Sequence, residues 1–313
     1  MIPASGSQYP LRSGHYQARI ASVGAALRSL TYSGRDLVVP FAADEVRPAS
    51  RGLTLAPWPN RVVDGVYSAG GAKQQLALSE PKRLHAIHGL IGWQDFTCTE
   101  HESDSVTLVT RIVPQRGYPW AVLLEVTYSL GADGLTQVVR AINESDDAAP
   151  YGTGTHPYVV AGPGALDTWT LSVPASQVLE VTPDRLAPVA LHDVGTYFPE
   201  RFDYREPRVL GAVEIDHAYT GLPAGQVVAR VTDPSGTGVE VAWGEDCPWM
   251  QIHTADLPGG PAQPGHRIGL AVEPMTCAPD AFNDANYSFD TGLIMIAPGA
   301  THQASWRIAN VEA

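Results

Sequence analysis

The segment WAVLLEVTYSLGADGLTQVVRAIN, residues 120–143, decides how the chain folds. Its two apolar stretches, residues 120–130 and 135–143, are rich in Val, Leu, Thr and Ile and partly alternate with a period of two. That composition and period are typical of half-buried β-strands. The intervening GADG, residues 131–134, is short enough for a tight turn. The segment therefore predicts an antiparallel β-hairpin.

Strand patterns of the same kind recur along the whole sequence. Residues 227–232 and 239–243 flank the turn-forming DPSGTG (residues 233–238) and predict a second hairpin. Further strands are predicted at residues 105–113, 249–254 and 268–272, whereas residues 189–207 lack a usable period and predict a covering loop. The 30 glycines and 26 prolines indicate many turns, and we expect no helix longer than about two turns. With no linker or repeat, residues 1–313 are predicted to form one all-β domain.

Composition excludes several classes of partner. The formal net charge of −13 argues against nucleic acid or an anionic membrane surface and fits a neutral small-molecule substrate. Cys98, Cys247 and Cys277 are too few and too scattered for a disulfide framework or a thiolate zinc site. No signal-like start and no run of about 18 apolar residues is visible. We therefore expect a cytoplasmic protein with no membrane anchor.

Two ionisable residues lie where the chain is most constrained. His156 stands in YGTGTHPYVV (residues 151–160), where two glycines precede it and Pro157 favours an extended backbone. Glu273 follows the apolar stretch IGLAV and precedes Pro274, so it is predicted at the end of a strand, as a partly desolvated base. A buried structural histidine and a salt-bridged glutamate are the alternative interpretations.

Four further candidates lie in short motifs. Arg61 ends APWPNR, in which two prolines exclude a helix; His88 stands in LHAIHG; Trp93 follows it with an apolar face that could stack on a sugar; and Asp216 begins DHAY. Each has an ordinary structural alternative. Arg61 could be a surface arginine or one that ties its loop to a nearby carboxylate, His88 a loop histidine, Trp93 a core tryptophan, and Asp216 a turn residue that bonds a backbone amide. His85 and His88 are three residues apart, but the following glycines predict a loop rather than a metal-binding helix.

The order of these motifs resembles the aldose 1-epimerase (mutarotase) family across nearly the whole chain. The motifs that carry the resemblance are GAAL (24–27), APWPNR (56–61), LHAIHG (84–89), GTHPY (154–158), DHAY (216–219), VEPMTC (272–277) and PDAFN (279–283). The wording of WPNR and EPMT is similar to a bacterial subgroup that includes sulfoquinovose mutarotases. The resemblance implies a large antiparallel β-sandwich with a site in a groove across one sheet.

Site roles follow from the same resemblance. Glu273 matches the general base, His156 the general acid, and Arg61, His88 and Asp216 the sugar-binding positions. Such an enzyme opens the ring of an aldose by moving a proton from the anomeric hydroxyl and giving one to the ring oxygen, which requires an acid and a base. It implies no metal and no cofactor. His156 is followed by PYVV rather than the YFNL of many galactose-acting members, so galactose preference is not implied.

Two rival functions remain open from the sequence. A metal-dependent β-barrel enzyme would use His85, His88 and Glu273 as ligands. A non-catalytic carbohydrate-binding protein would use the same polar residues and Trp93 only to hold a sugar. The sequence leaves open which sugar is bound and whether the protein is a monomer or a homodimer.

Overall fold

The structure, a computed structural model, describes residues 2–313, and its regular secondary structure consists almost entirely of β-strands. Over these residues the strands are β1 (Gln8–Ser13), β2 (Tyr16–Ala21), β3 (Ala26–Tyr32), β4 (Arg35–Asp36), β5 (Thr54–Leu55), β6 (Arg61–Val63), β7 (Val66–Ala69), β8 (Ala72–Gln75), β9 (His85–Ile87), β10 (Thr97–His101), β11 (Ser105–Ile112), β12 (Val122–Gly131), β13 (Gly134–Asn143), β14 (Ala149–Tyr151), β15 (Gly154–Thr155), β16 (Tyr158–Val159), β17 (Thr170–Ser172), β18 (Gln177–Val181), β19 (Pro188–Asp193), β20 (Arg208–Val209), β21 (Asp216–Thr220), β22 (Val227–Thr232), β23 (Gly238–Trp243), β24 (Trp249–His253), β25 (Leu270–Met275), β26 (Ile294–Ile296) and β27 (Thr301–Val311).

Helical structure is confined to short pieces. The described residues contain one α-helix, α1 (Pro199–Phe202), and 3₁₀ turns at Pro48–Ser50, Leu166–Thr168, Gly260–Ala262 and Ala281–Asn286. The expectation of no helix longer than about two turns is confirmed for this part of the chain. Within residues 2–313, no helix is long and apolar enough to cross a membrane.

Two large antiparallel sheets form the sandwich. One has nine strands in the order β10-β11-β12-β13-β27-β23-β22-β17-β20. The other has eight, with the order β19-β18-β21-β24-β25-β15-β5 and with β16 also paired to β25. A four-stranded sheet, β1-β2-β3-β4, and three two-stranded sheets complete the fold. The predicted all-β sandwich is confirmed.

The core lies where alternate strand residues of both sheets meet. Leu124 and Val126 of β12 and Ile252 and Val272 of the eight-stranded sheet are fully buried and belong to one apolar cluster. Because successive side chains of a strand point to opposite faces, residues 251, 253, 271 and 273 face away from this core. The outward face of the eight-stranded sheet is therefore free to carry polar side chains.

Both predicted hairpins are present. Strands β12 and β13 pair from Val122↔Asn143 to Gly131↔Gly134, so only two residues form the turn. Strands β22 and β23 pair over Val227↔Trp243, as the sequence predicts.

Two predictions about loops are wrong. Residues 189–207 were predicted as a covering loop, but they include most of β19, which pairs with β18, and α1. Residues 188–193 alternate too weakly to predict a strand, because β19 lies at the edge of its sheet and none of its residues is fully buried. His85, predicted in a loop, begins β9, which pairs with β6.

Glu273 is the third correction. It was predicted at the end of a strand, but β25 continues through Glu273 and Pro274 to Met275. Proline lacks an amide hydrogen and normally interrupts a ladder. Here the amides of Val272 and Thr276 bond to Pro157 and Thr153, so position 274 faces the interruption between β15 and β16, where no ladder bond is needed. Pro274 is therefore compatible with a central strand.

Candidate active site

The outward face of the eight-stranded sheet presents two rows of side chains across neighbouring strands. The first, which we name the Glu273 row, contains Glu273, Gln251 and Ala218 in register on β25, β24 and β21. The second, the His253 row, contains Tyr158, Ala271, His253 and Asp216 on β16, β25, β24 and β21. The rows are two residues apart along each strand, about 7 Å. Ala218 and Ala271 have small side chains, so they do not project beyond the polar groups of their rows.

His156 reaches this face from the interruption between β15 and β16. Its amide donates to the Leu53 carbonyl at 3.1 Å, and its carbonyl accepts from the Gly52 amide at 2.8 Å. These two bonds fix the backbone on both sides of the side chain. The imidazole Nε2 lies 3.5 Å from Oε1 of Glu273, and both side chains are almost completely buried, at 7% and 2% exposure. The structure therefore brings together the two residues predicted to move protons.

Arg61 is paired with a nearby carboxylate, as one of its structural alternatives expects, although the sequence did not identify the acid as Glu80. Its Nε and Nη2 donate to the two carboxylate oxygens of Glu80 at 2.8 and 3.1 Å, a bidentate geometry that fixes the guanidinium plane. Its Nη2 also lies 4.0 Å from Oδ2 of Asp216. Asp216 in turn accepts a 2.6 Å hydrogen bond from Gln251 Nε2. Arg61, Asp216 and Gln251 thus form a connected polar wall beside Glu273.

His88 completes the cluster from the loop that follows β9. Its backbone has φ +62°, a left-handed conformation that non-glycine residues adopt infrequently and that often marks functional positions. Its amide donates to the Asn60 carbonyl at 2.8 Å, which ties it to the residue before Arg61. Its ring meets the His156 ring edge-on, with centroids 5.1 Å apart. His88 therefore lies between His156 and the strand that begins at Arg61.

Several buried polar atoms in this cluster lack a hydrogen-bond partner in the described part of the chain. They are Oε2 of Glu273, Nδ1 of His156, Nδ1 of His88, Oε1 of Gln251 and Nδ1 of His253. Such atoms are costly to bury unless something pairs with them. Their proximity on one face makes this cluster the candidate binding site for a polar ligand.

Burial controls the protonation of the acid–base pair. It raises the pKa of Glu273 well above its ordinary value, and the nearby charge of Asp216 raises it further. It lowers the pKa of His156 to about 3, with a smaller contribution from His253. Both side chains therefore favour their neutral forms in the free protein.

The other titrating residues of the site shift in a different pattern. Burial lowers the pKa of His88 well below its usual value, and His156 adds to the decrease. Burial opposes ionisation of Asp216, but His253, Arg61 and the Gln251 hydrogen bond outweigh it and lower the pKa of Asp216. Asp216 therefore remains a carboxylate beside a protonated Glu273.

Trp93 stays outside the buried cluster. Its side chain is 69% exposed, and the Arg47 guanidinium lies 4.7 Å from the ring centroid. The core interpretation of Trp93 is wrong. An exposed aromatic ring at this position is compatible with sugar stacking, and the contact itself remains a prediction.

The structure does not assemble the alternative metal ligands. His85 is fully buried, its Nε2 lies 2.9 Å from the Arg185 carbonyl, and its Nδ1 accepts from the Asp64 amide. Among residues 2–313, no group of three or more His, Cys, Asp or Glu side chains is arranged to hold a metal ion. His85, His88 and Glu273 are therefore not a ligand set in this fold.

Glu80, Gln251 and His253 are the residues of the site that sequence reasoning missed. In MQIH, residues 250–253, apolar and polar residues alternate, so Gln251 and His253 share one face of a strand. That alternation within an otherwise buried strand was the available signal. Glu80 lies outside any named strand, and only the tertiary structure reveals its pairing with Arg61.

Known proteins share both the sequence and the fold. A family model described as aldose 1-epimerase matches residues 7–309. The chain belongs to the aldose 1-epimerase family. Its relative YihR from Escherichia coli K12, itself uncharacterized, is 34% identical over 306 residues, which cover 97% of this chain and 93% of YihR.

Solved structures similar to this one carry the same family names. A GalM/aldose epimerase homologue from Caenorhabditis elegans has a TM-score of 0.81 at 19% identity, covering 98% of this chain and 99% of its own. Galactose 1-epimerase from Lactobacillus acidophilus has a TM-score of 0.75 at 16% identity, covering 95% and 92%. At these identities the likeness concerns the fold. Membership of the family makes an epimerase-type isomerase the appropriate enzyme class.

Proposed function

We propose that the protein is an aldose 1-epimerase that interconverts the α and β anomers of an aldohexose or a hexose derivative, with Glu273 as base and His156 as acid. The observation that carries the proposal is the 3.5 Å contact between His156 Nε2 and Glu273 Oε1 at the centre of unpartnered polar atoms. The anomeric hydroxyl must lose a proton and the ring oxygen must gain one, and both oxygens are bonded to the anomeric carbon. A base and an acid this close together can therefore serve both oxygens.

The reaction needs only these two groups. Glu273 accepts the proton of the anomeric hydroxyl while His156 donates a proton to the ring oxygen, and the bond between the anomeric carbon and the ring oxygen breaks to give the open aldehyde. Rotation about the adjacent carbon–carbon bond presents the other face of the carbonyl. On closure the ring hydroxyl returns its proton to His156 and Glu273 protonates the new anomeric oxygen.

The protonation state that burial favours differs from the one that begins ring opening. Glu273 protonated and His156 neutral is the form that burial favours in the free protein. Ring opening requires Glu273 ionised and His156 protonated, which is the same pair with its one proton moved across the 3.5 Å contact. Once the pair is in its charged form, each group therefore readily becomes neutral, Glu273 by accepting a proton and His156 by donating one.

The surrounding residues hold the sugar. Arg61, His88 and Gln251 can bond ring hydroxyls, Asp216 can accept from one, and Trp93 offers an exposed ring for stacking. A net charge of −13 and the carboxylate of Asp216 favour a substrate that presents neutral hydroxyl groups to this part of the site. Arg61 is oriented for this task by Glu80, as the 2.8 and 3.1 Å bonds indicate.

Anomer exchange measured by NMR tests the proposal. Magnetisation transfer between α and β signals would be recorded for a panel that includes galactose, glucose and sulfonated and phosphorylated hexoses, with and without protein. Exchange that accelerates in proportion to protein concentration for at least one sugar is expected. A sugar that binds, as seen by titration, but exchanges no faster than in buffer would support the non-catalytic carbohydrate-binding alternative instead.

A further inference from the structure

His253 forms a second imidazole–carboxylate pair on the same face as the first. It is the direct cross-strand partner of Asp216, and its Nδ1 lies 3.9 Å from Oδ1 of that carboxylate. Nearby, His156 and Glu273 are separated by 3.5 Å. The carboxylates of the two pairs therefore belong to adjacent rows, which are about 7 Å apart along the strands.

The orientation of the His253 ring leaves one nitrogen available. Nδ1 is buried and faces Asp216 without a hydrogen bond, since 3.9 Å exceeds hydrogen-bond distance. The side chain is nevertheless 23% exposed, so the open part of the ring is its Nε2 edge. Tyr158 meets the ring edge-on with centroids 6.2 Å apart, and Ala271 lies between the two residues in the row. The Nε2 edge is therefore the part of the ring that a ligand on this face can reach.

We propose that His253 is a specificity-determining residue whose Nε2 forms a hydrogen bond with an oxygen substituent of the sugar remote from the anomeric carbon. The inference rests on the proposed function, because it assumes that the anomeric carbon lies over the Glu273 row. A hexose held there extends over its neighbours, and the His253 row is one step away. Asp216 faces the Nδ1 side of the imidazole, which leaves Nε2 as the nitrogen directed to the sugar.

Two substitutions separate this role from a merely structural one. Glutamine places its side-chain amide near the position of Nε2, whereas asparagine places it near the position of Nδ1. His253→Ala is expected to raise KM about 2- to 10-fold with kcat little changed, the effect of losing one hydrogen bond used equally in the ground and transition states. His253→Gln should recover most of that loss, and His253→Asn should not.

His192→Gln serves as the matched control. His192 also pairs with a carboxylate, Glu180, at 2.7 Å and lies on β19 of the same sheet. Three strand spacings, about 14 Å, separate β19 from β24. Its substitution should leave KM and kcat unchanged.

Deoxy sugars identify the substituent that His253 contacts. Anomer exchange of the preferred hexose and of its 3-, 4- and 6-deoxy analogues would be measured with wild type and His253→Ala. For one analogue the two proteins should have the same KM, because the hydrogen bond is already absent. Rescue by asparagine rather than glutamine, or an unchanged KM in His253→Ala, would overturn the proposal. If wild type accelerates exchange of no sugar, the proposed function fails first.

Discussion

Burial moves the pKa values of Glu273 and His156 in opposite directions, and this sets the expected pH profile. The raised pKa of Glu273 keeps its proton to higher pH, whereas the pKa of His156, lowered to about 3, keeps the ring neutral. Between these two limits the pair carries one proton, which is the total that the reaction requires. The apparent values belong to the pair as a whole, since the groups are 3.5 Å apart.

We therefore expect kcat/KM to be bell-shaped, with an alkaline limb that reports loss of the shared proton. His156→Gln removes the proton donor, so activity should fall greatly and any residual rate should increase with pH as Glu273 ionises, without an alkaline limb. Kinetics across the pH range with both proteins checks this. A folded, active His156→Gln variant that keeps the wild-type alkaline limb would show that another group carries the proton.

Glu80 acts on the reaction through Arg61. Glu80→Gln retains the size of the side chain but removes the charge and one acceptor of the bidentate pair with Arg61. We expect KM to rise about 3- to 30-fold, because the guanidinium is no longer fixed toward the sugar, and kcat to change less. Arg83 is the other cation that pairs with Glu80, and its side chain is 38% exposed. Arg83→Ala should therefore have little effect. Equal effects of the two substitutions would contradict a positioning role for Glu80.

Some site residues could be predicted from the sequence and others could not, for a physical reason. Glu273, His156 and His88 stand next to proline or glycine, and Arg61 is two residues after Pro59, so the restrictions on their backbone are visible in the sequence. Glu80 has no such marker. Its role arises from a pairing with Arg61 across 19 positions in the chain, which local sequence does not encode.

Among the elements, the loop after β9 shows how closely backbone and site are coupled. Gly89 has φ +78°, and a Cβ at this position would lie 1.9 Å from the Ala56 carbonyl oxygen. Gly89 thereby allows residues 88–90 to lie against residues 56–60, as the Leu90 amide bond to Ala56 at 2.8 Å shows. The position of His88 depends on this contact.

Gly89→Ala is therefore expected to destabilise the protein by about 2 to 5 kcal/mol, from the left-handed backbone and the clash together. Gly299→Ala is the matched control: φ is +71°, and no atom lies within 4 Å of the added Cβ. It should cost only about 1 to 2 kcal/mol. Urea unfolding of both variants measures the difference, and equal losses would mean that the contact with Ala56 is unimportant.

Strand β25 illustrates what sequence could not predict at this scale. Its apolar residues predict a strand, but Pro274 predicts that the strand ends, and the end does not occur. The missing amide hydrogen of Pro274 faces the interruption between β15 and β16. That interruption is also where His156 enters the site. Only the pairing of three strands explains both features, and strand pairing is not a local property of the sequence.

At the scale of the whole molecule, the sandwich separates folding from function. Val272 and Ile252 point into the core between the sheets, whereas Glu273 and Gln251, their neighbours in sequence, lie on the opposite face of the sheet. Polar residues of the site therefore do not interrupt the main apolar core. The alternation that predicts the fold thus also places the site on the outer face of one sheet.

Glu273 should reduce the stability of the free protein as the pH rises. Its folded-state pKa is raised, so it contributes most favourably below the unfolded value of about 4.5 and progressively less as the pH rises toward the folded value. Glu273→Gln removes this term. The free energy of unfolding of the variant relative to wild type should therefore be greater at about pH 8 than at about pH 5. Denaturant titrations at both pH values test this, and a difference that does not vary with pH would argue against a raised pKa.

The rate of anomer exchange catalysed by Glu273→Gln tests the central claim most directly. The substitution preserves the shape of the side chain but removes its basicity. We predict that exchange of the preferred sugar, measured by NMR, falls by about 10²- to 10⁴-fold, the usual contribution of a proton-transfer group, while the sugar still binds. Exchange at the wild-type rate by the folded variant would contradict the account, because Glu273 could not then be the base that opens the ring.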